Sequence, residues 1–149
     1  MSATGSVLGV CLALAAAVPP GAESRPPADA AFVPQRAFTL AWTHSIEKTR
    51  WEEDYRVARA ADGSPLLRLV RARIRGTGAG MEPPDGAVLR RGWYEYVPAH
   101  QPQGPLRLTR SPYTADYDWC ARGRCRPLGA WLPSDGGITL LWPCQKHQN

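Results

Sequence analysis

Hydrophobic and polar residues alternate with a period of two over several short stretches of this chain. The stretches that show the pattern are 38–46, 51–57, 66–74, 88–97, 106–110, 117–120 and 138–142. Such alternation predicts half-buried β-strands, and no segment sustains a helical period. We therefore expect an all-β protein, a single small sandwich or barrel of about seven short antiparallel strands.

The first two stretches are predicted to form a hairpin whose loop is 47–50. In the register that places every large apolar residue on one face, Trp42 lies opposite Tyr55 and His44 lies opposite Glu53. An ionisable pair would then sit among aromatic side chains, where each charge needs a partner. Two interpretations remain open: a structural pair that fixes the register, or a ligand-binding or catalytic pair.

A serine hydrolase is not favoured by this pattern. Ser45 follows His44 directly, so on a strand its side chain points to the opposite face. A serine relay needs the hydroxyl and the imidazole within hydrogen-bond reach. No catalytic residue is assigned on this basis.

The N-terminal segment resembles an export signal. Residues 1–22 contain no charged side chain, and the apolar stretch 7–18 suits the hydrophobic region of a signal peptide. We expect a signal peptide over 1–22, a Pro/Ala-rich linker over 23–37 and the β-domain over 38–149. The mature protein is then periplasmic and begins between residues 18 and 25; the alternative is an uncleaved N-terminal membrane anchor.

Three cysteines would remain after such a cleavage, because Cys11 lies in the signal segment. In an oxidising compartment we expect a disulfide that involves Cys125, with either Cys120 or Cys144 as its partner. The Cys120 and Cys125 spacing also suits half of a zinc site, but a second Cys or His pair with matching spacing is missing. The sequence therefore predicts no metal site.

The charge of the chain is carried mostly by arginine. The formal net charge is +5, and charged residues make up 21% of the chain against 44% hydrophobic, which allows a packed core. Arginine forks bind carboxylates and phosphates, so a small anionic solute is an expected partner. The arginines form no basic run and match no nucleic-acid motif, so nucleic acid is not an expected partner.

A glycine-rich segment, GTGAGM over 76–81, is the remaining feature with a chemical interpretation. It lacks the G-x-G-x-x-G spacing and is followed by Glu82-Pro83-Pro84, so no helix start faces a phosphate. It predicts either a turn that needs positive φ angles or a backbone nest for a small anion such as a carboxylate.

Several of these pieces together resemble a known family. The run WTHSIEKTRWEEDY over 42–55, RGTGAGM over 75–81, GWYEY over 92–96, the Cys-rich segment and the final WPC resemble the bacterial Domain of Unknown Function 1850 family. The similarity spans about residues 38–144. Its most specific marks are HSIEK at 44–48 and GTGAGM at 76–81. The resemblance implies a gene neighbourhood beside TRAP-type transporters of the TAXI kind, and hence an exported accessory role; it implies no activity and no cofactor.

The leading hypothesis is an exported accessory or small-ligand-binding protein of a TRAP-type solute uptake system, with transporter membrane subunits as partners. Its candidate ligand-binding residues are His44, Glu47, Lys48, Glu53, Gly78, Gly80 and Met81. One alternative is a periplasmic acid–base or metal-assisted hydrolase that uses His44 and Glu53. Another is a structural partner without a ligand pocket.

Overall fold

The fold is all-β, as the alternation predicts, and consists of two antiparallel sheets. It is seen in a computed structural model that describes residues 5–44, 48–76 and 83–147. The strands in this part of the chain are β1 (Ser6–Leu14), β2 (Ala31–Val33), β3 (Ala37–Thr43), β4 (Arg50–Arg59), β5 (Pro65–Arg75), β6 (Val88–Arg90), β7 (Trp93–Tyr96), β8 (Leu106–Thr109), β9 (Asp118–Ala121), β10 (Arg124–Pro127) and β11 (Ile138–His147). Short 3₁₀ helices occupy Ala15–Ala17 and Leu128–Ala130.

The two sheets have the strand orders β2-β1-β11-β8 and β10-β9-β3-β4-β5-β7-β6. Neither closes into a barrel, so of the two predicted architectures the fold is closer to a sandwich. The prediction of about seven strands is too low, because three parts of the chain add strands. The N-terminal segment adds β1 and β2, while the stretch 88–97 is divided into β6 and β7 by a turn at Arg91 and Gly92, both with positive φ. A further short strand, β10, pairs with β9.

The main core lies between the sheets and follows from the period of two. Each sheet turns one row of alternating side chains inward, and these rows meet in one apolar cluster. Val10, Leu12 and Leu141 come from the smaller sheet, and Leu40 and Val57 from the larger one; all are at most 1% exposed. Burial of such side chains stabilises the fold by about 1.5–3 kcal/mol each relative to exposure.

The segment predicted to be a signal peptide forms the strand β1. β1 pairs with β11 along its whole length, from Ser6 opposite His147 to Leu14 opposite Thr139. Within the predicted linker, Ala31–Val33 form β2, which pairs with β1. The apolar residues of 7–18 thus contribute to the core of the full chain, and cleavage of the chain stays a prediction.

The predicted register of the β3–β4 hairpin is wrong. Glu53 lies opposite Leu40, not opposite His44, and Trp42 lies opposite Trp51. The turn starts earlier than expected, because the His44 N–H donates to the Thr49 carbonyl at 2.8 Å. The shift is an even number of residues, so the inner and outer faces are the predicted ones although the partners are not.

Two disulfides are present among the described residues, which confirms the expectation of disulfide bonding. Cys125 bonds to Cys120, with which it is in register on the β9–β10 hairpin, and Cys11 bonds to Cys144. The second bond was not expected, since Cys11 was assigned to the signal segment. In the described ranges, no helix is both long enough and apolar enough to cross a membrane.

Candidate functional site

One end of the larger sheet brings together the described ends of the two segments that carry the most specific family-like motifs, namely His44, Lys48 and Gly76. There the β3–β4 turn follows Thr43, β5 ends at Arg75, and Ile74 lies opposite Trp51 in the register. The β6–β7 turn joins them, because the Gly76 N–H donates to the Gly92 carbonyl at 2.7 Å. We call this end, with His44, Lys48, Thr49, Gly76 and Gly92, the hairpin edge.

Local interactions define the turn at the hairpin edge. The Lys48 N–H donates to the His44 carbonyl at 2.9 Å, and Lys48 has a φ of 57°, a left-handed conformation. Thr49 is 2% exposed, and its hydroxyl accepts a hydrogen bond from the Trp51 indole at 3.2 Å. The Lys48 side chain is exposed. The turn therefore rests on a buried threonine and presents a lysine charge to solvent.

Gly76 is required by a close contact at the same end. A side-chain carbon at this position would lie 2.8 Å from the ring of Tyr94. Any larger residue would displace the ring or the strand end. The glycine thus fixes where β5 delivers the segment that follows it.

Glu53 lies on the inner face of the sheet, among aromatic side chains. Its carboxylate accepts a hydrogen bond from the Tyr55 hydroxyl at 3.0 Å. Burial raises the pKa of Glu53, and the Tyr55 hydrogen bond opposes this effect only in part. Burial, and then the Glu53 charge, raise the pKa values of Tyr96 and Tyr117. Glu53 is therefore a carboxyl group with a raised proton affinity, surrounded by phenol groups.

Aromatic rings connect this carboxyl to the hairpin edge. The Trp42 and Trp51 rings stack with centroids 6.2 Å apart, and the His44 ring lies 6.5 Å from that of Trp51. The Tyr117 ring, directly before β9 in the chain, has its centroid 5.6 Å from that of Trp42. Trp51 thus lies between His44 and Glu53 on the inner face.

The outer face of the same strands carries a network of charges. Arg73 binds Asp54 with two hydrogen bonds of 2.6 and 2.8 Å and also contacts Glu52 at 3.2 Å. The Thr39 hydroxyl donates to Asp54 at 2.6 Å. Burial alone would raise the pKa of Asp54, but the hydrogen bonds from Arg73 and Thr39 hold it below its ordinary value. Neighbouring residues of β4 therefore have opposite pKa shifts, since one faces the core and the other faces arginine.

The predicted site residues have different positions in the structure. His44 and Lys48 flank the turn at the hairpin edge, while Glu53 lies farther along β4, opposite Leu40. The remaining candidates, Glu47, Gly78, Gly80 and Met81, lie outside the described residues. At about 3.3 Å per strand residue, the level of Glu53 is about 13 Å from that of His44, so the two do not form the predicted direct pair.

The described residues do not bring His44 and Glu53 together. A hydrolytic relay needs a base within hydrogen-bond reach of its acid, and the register separates His44 from Glu53. Over the described ranges, no three His, Cys, Asp or Glu side chains are grouped so that they could hold a metal ion. An exposed lysine and an aromatic-lined carboxyl suit contact with a partner or solute.

The sequence did not predict the Arg110–Asp116 ion pair or the partner of Asp54. Arg110 is 3% exposed and binds Asp116 through two hydrogen bonds of 3.0 and 2.9 Å, with a third to Thr139. This pair fixes the 110–116 loop against β11. The sequence predicts one half of the Arg73–Asp54 pair, because the alternation places Asp54 on the polar face of its strand. Its partner depends on the pairing of β4 with β5, which no local pattern reports.

Comparison with known proteins identifies a family but no characterised relative. A family model described as a domain of unknown function (DUF1850) matches residues 38–128, more than half of the chain. No curated protein and no solved structure matches the chain.

Proposed function

The chain belongs to the DUF1850 family, and from this premise we propose that it is an exported accessory protein of a TRAP-type solute uptake system, acting by binding. The transporter association comes from the gene neighbourhood that the family resemblance implies. The contact surface is the hairpin edge, with Lys48 as its exposed charge. Under this proposal the protein binds its partner and catalyses no reaction.

The position of the described ends of the two family-like motifs, both at the hairpin edge, carries this proposal. In the sequence, 27 residues lie between Lys48, the last residue of HSIEK, and Gly76, the first residue of GTGAGM. Their described ends nevertheless lie at one end of the adjacent strands β4 and β5, where Trp51 lies opposite Ile74. Motifs that are distant in sequence and adjacent in space are expected of a shared surface.

Export is supported by the two disulfides. Both are compatible with an extracytoplasmic location, because structural disulfides persist in oxidising compartments. The Cys11–Cys144 bond requires the N-terminal segment to stay on the chain, so it supports export of the full chain and not of a chain cleaved between residues 18 and 25. The periplasm is the compartment in which an accessory protein of a solute uptake system would meet the outer face of the transporter.

The hydrolase hypothesis has less support. It requires His44 and Glu53 to act on one substrate atom, and the observed register places Trp51 between them on the inner face. The raised pKa of Glu53 suits a group that takes up a proton, which alone does not make a catalytic pair.

The proposal is tested by co-purification from membranes. Full-length tagged protein is produced in cells that contain the transporter, as wild type, Lys48→Ala and Lys146→Ala. Lys146 is the matched control, because it is an exposed lysine on β11, in the smaller sheet, where its ammonium lies 5.9 Å from the Phe32 ring centroid. The transporter membrane subunits retained from detergent extracts are quantified by mass spectrometry.

We expect the wild type and Lys146→Ala to retain the transporter subunits equally, and Lys48→Ala to retain several-fold less. Both variants should melt close to the wild type, since exposed substitutions change stability by less than about 0.5 kcal/mol. Equal retention by Lys48→Ala, or no transporter subunits with the wild type, would refute the proposal.

A further inference from the structure

A second surface, which adjoins the hairpin edge at the β6–β7 turn but does not include Lys48, has the properties of a ligand site. It is a recess of about 720 Å³ on the outer face of the larger sheet, within the size range of ligand pockets. Four arginines line it, Arg71, Arg73, Arg90 and Arg91, together with Trp93 and two glutamates. We call it the arginine recess.

Three of the four arginines in the arginine recess form no ion pair within the described residues, although the Arg71 charge helps to lower the pKa of Asp54. Arg73 is bound to Asp54 and Glu52. The other three arginines are exposed, and none of the ion pairs or side-chain hydrogen bonds found in the described ranges involves them. Glu95 is the remaining carboxylate of the lining and likewise forms no ion pair there. Three guanidinium groups against one carboxylate leave an excess of positive charge.

The arginines of the recess come from two strands and the turn that follows one of them. Arg71 lies on β5 and Arg90 ends β6, with β7 between them in the sheet. Arg91 lies in the β6–β7 turn and has a φ of 52°. Its side chain therefore projects from the end of this hairpin. Trp93 forms an apolar wall, and Arg75 stacks on its ring at 5.5 Å.

The spacing of the arginines indicates the class of ligand. Strands lie about 4.8 Å apart, so β5 and β6 are separated by about 10 Å across β7. Arg90 lies at the level of Trp93 and Arg75, four residues along β5 from Arg71, which adds about 13 Å along the strands. A single small acidic group reaches one guanidinium fork, whereas an anion with two acidic groups reaches forks on both strands. Guanidinium forks match carboxylates in a bidentate manner.

We infer that the arginine recess binds a small organic anion with at least two carboxylate groups, held by Arg71 on one side and by Arg90 and Arg91 on the other. This gives the ligand class of the proposed binding function and rests on that function for its biological setting. The site itself is separate from Lys48. Loss of transporter retention and loss of anion binding are therefore distinguishable results.

Calorimetric titration of the full-length protein tests the inference. The probes are citrate, succinate, acetate and inorganic phosphate, and the variants are the double substitution Arg71→Gln/Arg90→Gln and the control Arg124→Gln. Arg124 is an exposed arginine on β10, at the opposite edge of the sheet from β6.

We expect citrate and succinate to bind the wild type and Arg124→Gln equally, and the double variant about tenfold or more weakly because two forks are lost. Acetate should bind about tenfold more weakly than succinate, since it has one carboxylate. Raising the salt from about 50 to about 500 mM should weaken binding several-fold, because exposed charges are screened.

Three results would overturn the inference: no binding of either polycarboxylate, unchanged binding in the double variant, or binding of phosphate without binding of succinate. If the glutamine variant fails to fold, Arg71→Lys/Arg90→Lys retains the charge and loses only the forks. Polycarboxylate affinity equal to the wild type in that lysine variant would equally refute bidentate recognition.

Discussion

Glu53 and Asp54 are adjacent in the sequence and respond oppositely to the fold. Glu53 points inward to the aromatic side chains, where burial disfavours its charge, while Asp54 points outward to Arg73 and Thr39. The alternation of a strand is enough to produce this difference. The sign of each pKa shift follows from the neighbours on its face.

The first residue-scale prediction is a change in pH dependence for Glu53→Gln. The folded pKa of Glu53 is raised above 4.5, so the fold favours the protonated form. Its contribution to stability is therefore complete below that pH and is lost as the pH rises through the raised folded pKa. Glutamine keeps an acceptor for the Tyr55 hydroxyl but does not titrate, so Glu53→Gln should gain stability relative to the wild type as the pH rises.

Thermal melts from acid to neutral pH measure this effect, and Asp54→Asn is the matched comparison. The pKa of Asp54 is lowered, so its stabilisation is present above 3.8 and is lost as the pH falls through the lowered folded value. Asp54→Asn should cost about 1–3 kcal/mol at neutral pH, because the bidentate partner of Arg73 loses its charge. A Glu53→Gln melting temperature that tracks the wild type at every pH would contradict the assignment of burial as the cause.

For individual residues, the sequence predicts which face of the sheet a side chain occupies but not which residue lies opposite it on the next strand. The period of two correctly separated Trp42, Trp51 and Glu53 from Glu52 and Asp54. The prediction that His44 pairs with Glu53 failed because the turn closes between His44 and Thr49, and two registers of equal parity satisfy the same apolar pattern. Aromatic stacking separates them: the observed register places Phe38 on Tyr55, with ring centroids 5.5 Å apart.

At the scale of elements, β1 shows where a local pattern is ambiguous. A short apolar run suits the hydrophobic region of a signal peptide and equally suits a buried strand, and periodicity cannot distinguish the two. Here β1 lies between β2 and β11, where Val10 and Leu12 are fully buried. The pairing with β11 involves residues more than a hundred positions apart, which no local signal reports.

This position predicts that β1 is needed for folding. A chain that starts at Ala22 lacks the strand and uncovers the inner face of β11, including Leu141. Loss of even one buried leucine side chain costs about 2–5 kcal/mol, and a small domain has about 5–15 kcal/mol of stability in total. We expect the truncated chain to show no cooperative thermal transition by circular dichroism.

The full-length Cys11→Ala/Cys144→Ala variant separates the strand from its disulfide. The bond joins residues 133 positions apart, so its removal should cost about 5 kcal/mol at most in the loop-entropy model. We expect this variant to melt at a lower temperature but still cooperatively. A truncated chain as stable as the full one would show that β1 is dispensable and would favour its removal as a signal peptide.

At the scale of the whole molecule, the two sheets carry different features. The smaller sheet contributes β1, β11 and the long-range disulfide to the core. The larger sheet presents the hairpin edge at one end and the arginine recess on its outer face. The family match begins at Phe38 and ends at Leu128, so it covers the larger sheet apart from the first residue of β3, together with β8 of the smaller sheet.

The central claim is that the hairpin edge contacts a TRAP-type transporter outside the cytoplasm. It is tested most directly by placing a photo-cross-linking amino acid at position 48 of the full chain in living cells, with position 124 as the matched control. Irradiation should join the protein to a transporter membrane subunit from position 48 and not from position 124. Absence of a transporter adduct from position 48, or equal adducts from both positions, would contradict the account.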